Sequence, residues 1–253
     1  MAYALNQASD PSEPERLALI QRMYDPKTIP QLERLGVTTG WHCQDIGAGA
    51  GSISQWLAER VGPTGSVLAL DLDLTLLQPL VSPVLSVRRH DIRSEELPKN
   101  ADLVHARLVL EHLPDPESVL QRLVRALRPG GWLCVTDTDF LTVRLSESDP
   151  AFDSVISAFS RVAGWEMQLG PKLPAMMENA GLTNVGAEAW QRYERAGVST
   201  LPLAMTYRRF RDKLIDLGVK ATDIDLLVEK MTAGAIGVFS PTSWMAWGQK
   251  PDR

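Results

Sequence analysis

Residues 45–51 read Asp-Ile-Gly-Ala-Gly-Ala-Gly, and this heptapeptide constrains the chain more than any other stretch. An apolar run leads into it and a helical pattern follows. Three alternating glycines let the backbone turn sharply and approach a ligand where a Cβ would clash. Twenty positions after Gly51, a second apolar run, Val67-Leu-Ala-Leu, stops at Asp71. An acid at that distance can accept hydrogen bonds from ribose hydroxyls. A strand, a glycine turn, a helix and a second strand ending in an acid make a nucleotide site.

Two residues narrow the nucleotide. A dinucleotide fingerprint needs a third glycine at position 52, where this chain has Ser52. Asp45 at the loop entrance opposes a pyrophosphate and suits a ligand carrying an ammonium group. S-adenosylmethionine (SAM) has ribose, adenine, an ammonium and a sulfonium, and no phosphate. An NAD-dependent oxidoreductase is the competing reading.

Strand and helix alternate around this turn. Strands are expected at Trp41–Ile46, Val67–Leu70, Val84–Arg88, Leu103–Ala106 and Trp132–Thr136, with helices at Ile53–Val61, Leu74–Leu80 and Pro116–Leu127. Short, continuously apolar strands linked by helices predict a mostly parallel sheet covered on both faces. Later, helices are expected over Ala151–Ala163 and Lys172–Ala180, and a sixth strand over Val185–Tyr193. Helices over Leu203–Leu217 and Ile224–Met231 precede a final edge strand, Trp244–Gly248. The fold class is then α/β, a doubly wound, seven-stranded, Rossmann-like sheet with a helical N-terminal extension and helical lid insertions. In the extension, Pro26 and Pro30 are expected to split Glu15–Leu35 into two short helices. The expected division is 1–40, a mobile arm and cap helices; 41–140, the SAM-binding core; 141–198, a helical insertion with the sixth strand; and 199–253, a helical lid and the final strand.

Composition limits the partners. Net charge is −5, so no nucleic acid is expected. The one dense basic patch, Arg208-Arg209-Phe210-Arg211, reads as a solvated helix face. Cys43 and Cys134 sit in apolar runs and read as buried thiols of a cytoplasmic protein. With two cysteines and four scattered histidines no metal site is expected. Met1 to Glu15 has no leader-like basic and apolar pattern, and no apolar run suits a membrane.

As a set, the glycine loop, Val67-Leu-Ala-Leu-Asp71, Arg89-His-Asp91-Ile, Ala101-Asp-Leu-Val-His-Ala-Arg107, Glu111-His-Leu-Pro114 and Leu127-Arg-Pro-Gly-Gly131 resemble the class I SAM-dependent methyltransferases over roughly residues 20–190. The whole chain looks like the bacterial small-molecule enzymes of that class. The resemblance implies that Asp45, Gly47, Ala48, Gly49 and Gly51 underlie the methionine and ribose parts of the cofactor. It further implies that Asp71 binds ribose, Leu72 lines adenine, and Asp91 with Ile92 reads the adenine amino edge. Ala106 and Arg107, with His105, would meet the methionine portion, and Tyr24 would close over it. The activity implied is methyl transfer (EC 2.1.1.-) to O, N or C of a small metabolite, in secondary metabolism, leaving S-adenosylhomocysteine. The alternative is a non-methylating step such as cyclisation or elimination on the same fold.

His112, in the loop after the fourth strand, is the candidate catalytic base, because imidazole titrates near working pH. Asp137 and Asp139 are rivals, and Glu111 is expected to face its own loop. Trp165, Met167, Met176, Met177, Tyr207 and Phe210 are candidates for an apolar acceptor wall. The helical additions offer faces for a homodimer.

Overall fold

A computed structural model describes residues 11–162 and 166–252. Residues 1–10 of the arm expected over 1–14 and the candidate wall residue Trp165 lie outside them, and the first helix already begins at Glu13, inside that expected arm. The main sheet contains β1 (His42–Ile46), β2 (Ser66–Asp71), β3 (Leu85–Arg89), β4 (Ala101–Arg107), β5 (Leu127–Asp139), β7 (Thr183–Trp190) and β10 (Thr242–Gln249), in the order β3-β2-β1-β4-β5-β10-β7. The first five strands pair in parallel, and β10 runs antiparallel to both neighbours. The final strand is therefore interior, and the edge falls to β7. A three-stranded ribbon, β6 (Arg144–Leu145), β9 (Val238–Phe239) and β8 (Tyr193–Glu194), lies apart from it.

Alternation along the strands sends neighbouring side chains to opposite faces. Val104, Val135 and Ala246 face α3 (Pro116–Ala126) and α5 (Leu173–Asn179), whereas Leu103, Cys134 and Met245 face α2 (Ser52–Val61) and the end of α1 (Glu13–Arg34). Both thiols are buried and free. No helix among the described residues is long and apolar enough to cross a membrane.

Two local expectations fail. α1 is one helix with Pro26 and Pro30 inside it, although each proline removes an intrahelical hydrogen bond at a cost of about 3 kcal/mol. Burial of Leu19, Met23, Tyr24, Thr28, Gln31 and Leu32 overrides that local preference. The segment expected as helix Leu74–Leu80 holds only a single tight turn, Gln78–Leu80. Its Leu77 and Leu80 press against Gly51, where a Cβ would collide with Leu80, and this contact fixes the segment better than helical spacing does.

The insertions build a second core. α4 (Pro150–Phe159), α6 (Thr200–Arg209), α7 (Arg211–Asp216) and α8 (Ala221–Thr232) bury a common apolar cluster. The Phe159 ring lies 5.3 Å from Phe140, 5.5 Å from Tyr207 and 5.1 Å from Phe210. The expected helix Leu203–Leu217 breaks at Phe210, which turns inward. Arg209, expected in solvent, is half-buried, with its side chain only 6% exposed, and donates to Glu13 on α1 at 2.6 Å. Phe159→Ala should cost about 3–5 kcal/mol in urea unfolding; a loss under about 1 kcal/mol would mean that these helices do not share a core.

Candidate active site

One cavity of about 810 Å³ opens at the C-terminal ends of β1, β2, β3 and β4 and runs under α1 and α6. Gly47, Ala48 and Gly49 form its floor. Gly47 adopts a φ of +64°, and a Cβ there would strike Val109 from the loop after β4. Gly47 and Ala48 N–H donate to the Leu70 carbonyl at 2.7 and 3.2 Å, and Gly49 N–H donates to Asp71 Oδ2 at 2.9 Å. Burial raises the Asp71 carboxyl, against the lowering by its hydrogen bond from Gly49. Leu72 and Asp73 continue this wall, and Asp73 N–H donates to Asp71 Oδ1 at 3.2 Å.

Asp91 and Ile92 line the next stretch of wall. Arg93 grips Asp91 through Nε at 2.8 Å and Nη2 at 2.6 Å, and this fork holds the carboxyl down to about 2. His90 also reaches the wall. Three acids and no phosphate cradle make this half of the cavity suited to a cationic nucleoside. The residues present therefore fit SAM and do not fit a pyrophosphate.

Four expected ligand residues, Asp45, Gly51, His105 and Ala106, do not reach the cavity. Asp45 is buried beneath the loop, where it accepts from Ser54 Oγ at 2.5 Å and meets His105 Nδ1 at 2.7 Å. Both of its oxygens have protein partners, and its side chain is not part of the cavity wall. Gly51 serves the turn into α2, with a φ of +78°. Ala106 is fully buried in the sheet.

Tyr24 and Arg107 do line the cavity. The Tyr24 hydroxyl accepts from Ser243 Oγ at 3.0 Å, and the Arg107 guanidinium lies 5.7 Å from its ring. Arg107 Nη1 donates to Asp25 on α1 at 2.7 Å, so its charge is already matched inside the protein.

At the far end stand Glu111 and His112. The His112 side chain is buried, and its Nε2 lies 3.3 Å from Glu111 Oε1. Burial, reinforced by the Arg16 charge, pushes the imidazole down to about 3. It does not titrate near working pH, which was the ground for reading it as the base. Glu111, expected to face its own loop, lines the cavity instead. Its Oε2 accepts from Thr138 N–H at 2.8 Å and Thr138 Oγ1 at 2.6 Å. Burial raises its carboxyl to about 7 despite those bonds. Behind it Asp137 is completely buried, with neither carboxylate oxygen in a well-formed hydrogen bond. Burial first, and the Glu111 charge second, push Asp137 well above the carboxylate range. Asp139 is not part of the cavity wall.

The apolar wall is not the one expected. Met176 and Met177 belong to the sheet core, and Met167, Tyr207 and Phe210 to the insertion core. Leu17, Ile20, Met23, Phe140, Leu203 and Pro241 line the cavity in their place. Arg16 beside them donates to Glu13 through Nε at 2.9 Å and Nη2 at 2.7 Å. Nothing in the spacing of Leu17, Ile20 and Met23 marked α1 as a cavity wall, because the same pattern serves any packed helix.

Residues 44–135 match the family model described as a methyltransferase domain. The methyltransferase str2 of Strobilurus tenacellus is 40% identical over 102 residues, covering 38% of this chain and 35% of that protein. The methyltransferase GfsG of Streptomyces halstedii is 30% identical over 168 residues, covering 59% of this chain and 55% of that protein. The chain thus spans between about a third and about half of these relatives' length. A SAM-dependent methyltransferase from Aquifex aeolicus shares the fold with a TM-score of 0.52 at 18% identity, over 95% of this chain and 93% of that one. Residues 44–135 thus match a methyltransferase domain, and the seven-stranded sheet around them has the fold of a SAM-dependent methyltransferase.

Proposed function

We infer that this protein transfers a methyl group to an O, N or C atom of a small-molecule metabolite of secondary metabolism. One observation carries the reading. A single cavity joins the glycine loop and the Asp71 and Asp91 walls to a mainly apolar chamber under α1 and α6. A nucleoside cofactor at one end and an acceptor at the other would meet inside it. Its volume of about 810 Å³ falls in the range of ~300–1,000 Å³ usual for small-molecule sites. A roofed chamber also favours a metabolite over a polymer.

The bound cofactor supplies an electrophilic methyl group. In this proposal Gly47, Ala48 and Gly49 let the backbone approach it, Asp71 accepts from its ribose hydroxyls, and Leu72, Asp91 and Ile92 hold its adenine. Tyr24 and Arg107 close the methionine end. α1 and α6 exclude water and align the acceptor with the methyl, and alignment alone supplies much of the acceleration in such a displacement.

Calorimetric titration with SAM, S-adenosylhomocysteine and NAD tests the cofactor. Binding of the first two without NAD is expected; binding of NAD alone would overturn the reading. Accumulation of S-adenosylhomocysteine during turnover separates methyl transfer from cyclisation or elimination. Asp71→Ala should weaken S-adenosylhomocysteine about 100-fold, since two charge-assisted hydrogen bonds are lost at roughly 1.5 kcal/mol each. Near-normal affinity would reject the ribose role.

His112 gives a pH signature. Its folded pKa lies below the unfolded value near 6.5, so acid favours the unfolded chain from about pH 6.5 down to about 3. Between pH 7.5 and 5.0 the wild type should lose about 2 kcal/mol relative to His112→Gln in urea unfolding. The raised carboxyls of Glu111 and Asp137 act with the opposite sign, but both proteins carry them. Parallel pH curves would show that His112 is not held neutral.

A further inference from the structure

We propose that the acceptor is a largely apolar molecule bearing a hydroxyl group, and that Glu111 is the catalytic residue that takes the hydroxyl proton as the methyl is transferred. The proposal rests on the methyl-transfer reading above and names the substrate class of the same cavity.

The geometry singles out one acid. Glu111 is only 3% exposed yet forms part of the cavity wall. Thr138 occupies Oε2 with two hydrogen bonds, which locks the carboxylate and leaves Oε1 to meet the acceptor. His112 is beside that oxygen, 3.3 Å away, and is held neutral. Asp137, wholly buried behind Glu111 on β5, is approached by the backbone N–H groups of Val109, Leu110 and Glu111 without good hydrogen-bond geometry, and burial outweighs them in raising its carboxyl. Two neighbouring buried carboxyls cannot both ionise. Asp137, the deeper one, keeps its proton, and Glu111 is the one that exchanges.

Other charged and titratable groups stand around Glu111. Tyr24 on α1 is buried, with its phenol raised above the ordinary range by burial, and is therefore neutral. Arg107, stacked on Tyr24, is matched by Asp25. Arg16, beside His112, shares Glu13 with Arg209, and Lys213 on α7 also lines the cavity, its Nζ 5.1 Å from the Phe210 ring centroid. Among the described residues Glu111 is the carboxyl placed to exchange a proton with an acceptor in this chamber.

The hydroxyls of the lid are turned to their own chain. Thr206 Oγ1 donates to the Pro202 carbonyl at 2.9 Å, and Ser199 Oγ donates to Glu194 at 2.8 Å. What remains facing the acceptor is mainly aliphatic and aromatic, with Gln21 and Lys213 among it.

Reactivity separates a hydroxyl from an amine. A hydroxyl keeps lone pairs while protonated, so its oxygen attacks the methyl as its proton passes to Glu111. The new O–CH₃ bond forms, the methyl–sulfur bond breaks, and its electron pair stays on sulfur. The proton on Glu111 then leaves to solvent. An ammonium has no lone pair until it is deprotonated, and a buried carboxylate would stabilise that unreactive form.

The test uses three probes that differ in one group: 2-naphthol, 2-(aminomethyl)naphthalene and 2-naphthoic acid. The same protein sample is first titrated with S-adenosylhomocysteine. Failure there would sink the methyl-transfer reading itself. On the saturated protein, 2-naphthol should bind at least tenfold more tightly than the other two. With SAM it should yield 2-methoxynaphthalene, with a rate that rises with pH through about 7. Glu111→Gln should lower kcat at least 100-fold, abolish that rise and leave S-adenosylhomocysteine affinity within twofold, which also verifies its fold. Thr138→Val removes a donor from the carboxylate and should move the rise to higher pH. Preference for the amine or the acid, binding of none of the three, a bound naphthol that yields no ether, methylation at ring carbon, or wild-type turnover in Glu111→Gln would each overturn the proposal while leaving cofactor binding intact.

Discussion

Three consecutive backbone N–H groups, of Gly47, Ala48 and Gly49, bond sideways to Leu70 and Asp71 and so weld the glycine loop to the end of β2. The rest of the site depends on this seam. Asp71 belongs to it and also faces the cavity, so the residue expected to hold ribose is itself held in register with the floor. Asp45 supports the loop from below through Ser54 and His105. Leu77 and Leu80 press on Gly51 from outside. A loop fixed on these sides presents its backbone without having to be ordered by the ligand, which reduces the conformational cost of binding.

The same seam explains which parts of the site could be read from the sequence. Parallel strands buried on both faces must be apolar along their length, so their positions show without the structure. The glycine spacing and Asp71 follow from the turn that joins them. Asp45 misled because its position was legible but the direction of its side chain was not. An acid at the end of a strand can point to the ligand or to the helix beneath, and Ser54 and His105 decide which. α1 misled in the opposite way. Pro26 and Pro30 disfavour a continuous helix locally, and tertiary burial of its inner face overrides them.

The acceptor end was the least legible part, for a physical reason. Met and aromatic residues at helical spacing satisfy any packed core equally well. Here Met176 and Met177 support the sheet, and Tyr207 and Phe210 support the insertion helices. The residues that do line the chamber, such as Leu17 and Leu203, have no distinguishing type. Protonation was equally hidden. His112 has the residue type expected of a base, yet burial and Arg16 hold it neutral, while the adjacent Glu111 is raised by the same burial. Desolvation always disfavours the charged form, so in one dry corner it weakens the histidine as a base and strengthens the carboxylate.

Topology accounts for the insertions lying over this corner. The cavity sits at the C-terminal ends of the parallel strands. β10 runs antiparallel to β5, with Thr242 paired to Asp139, so β10 begins where β5 ends. β7 is antiparallel to β10, with Trp190 paired to Ser243, so β7 also ends at that edge. The chain between Trp190 and Thr242 therefore departs from and returns to one point on the rim. It can carry α6, α7 and α8 without disturbing any strand pairing, and it can build them only above the cavity mouth. The short ribbon of β6, β8 and β9 ties the base of this excursion to the segment following β5. Glu13 on α1, bonded to both Arg16 and Arg209, closes the remaining side between the roof helix and α6. The sheet thus fixes where an acceptor must lie, and the excursion, free of the sheet's own constraints, fixes what shape it has.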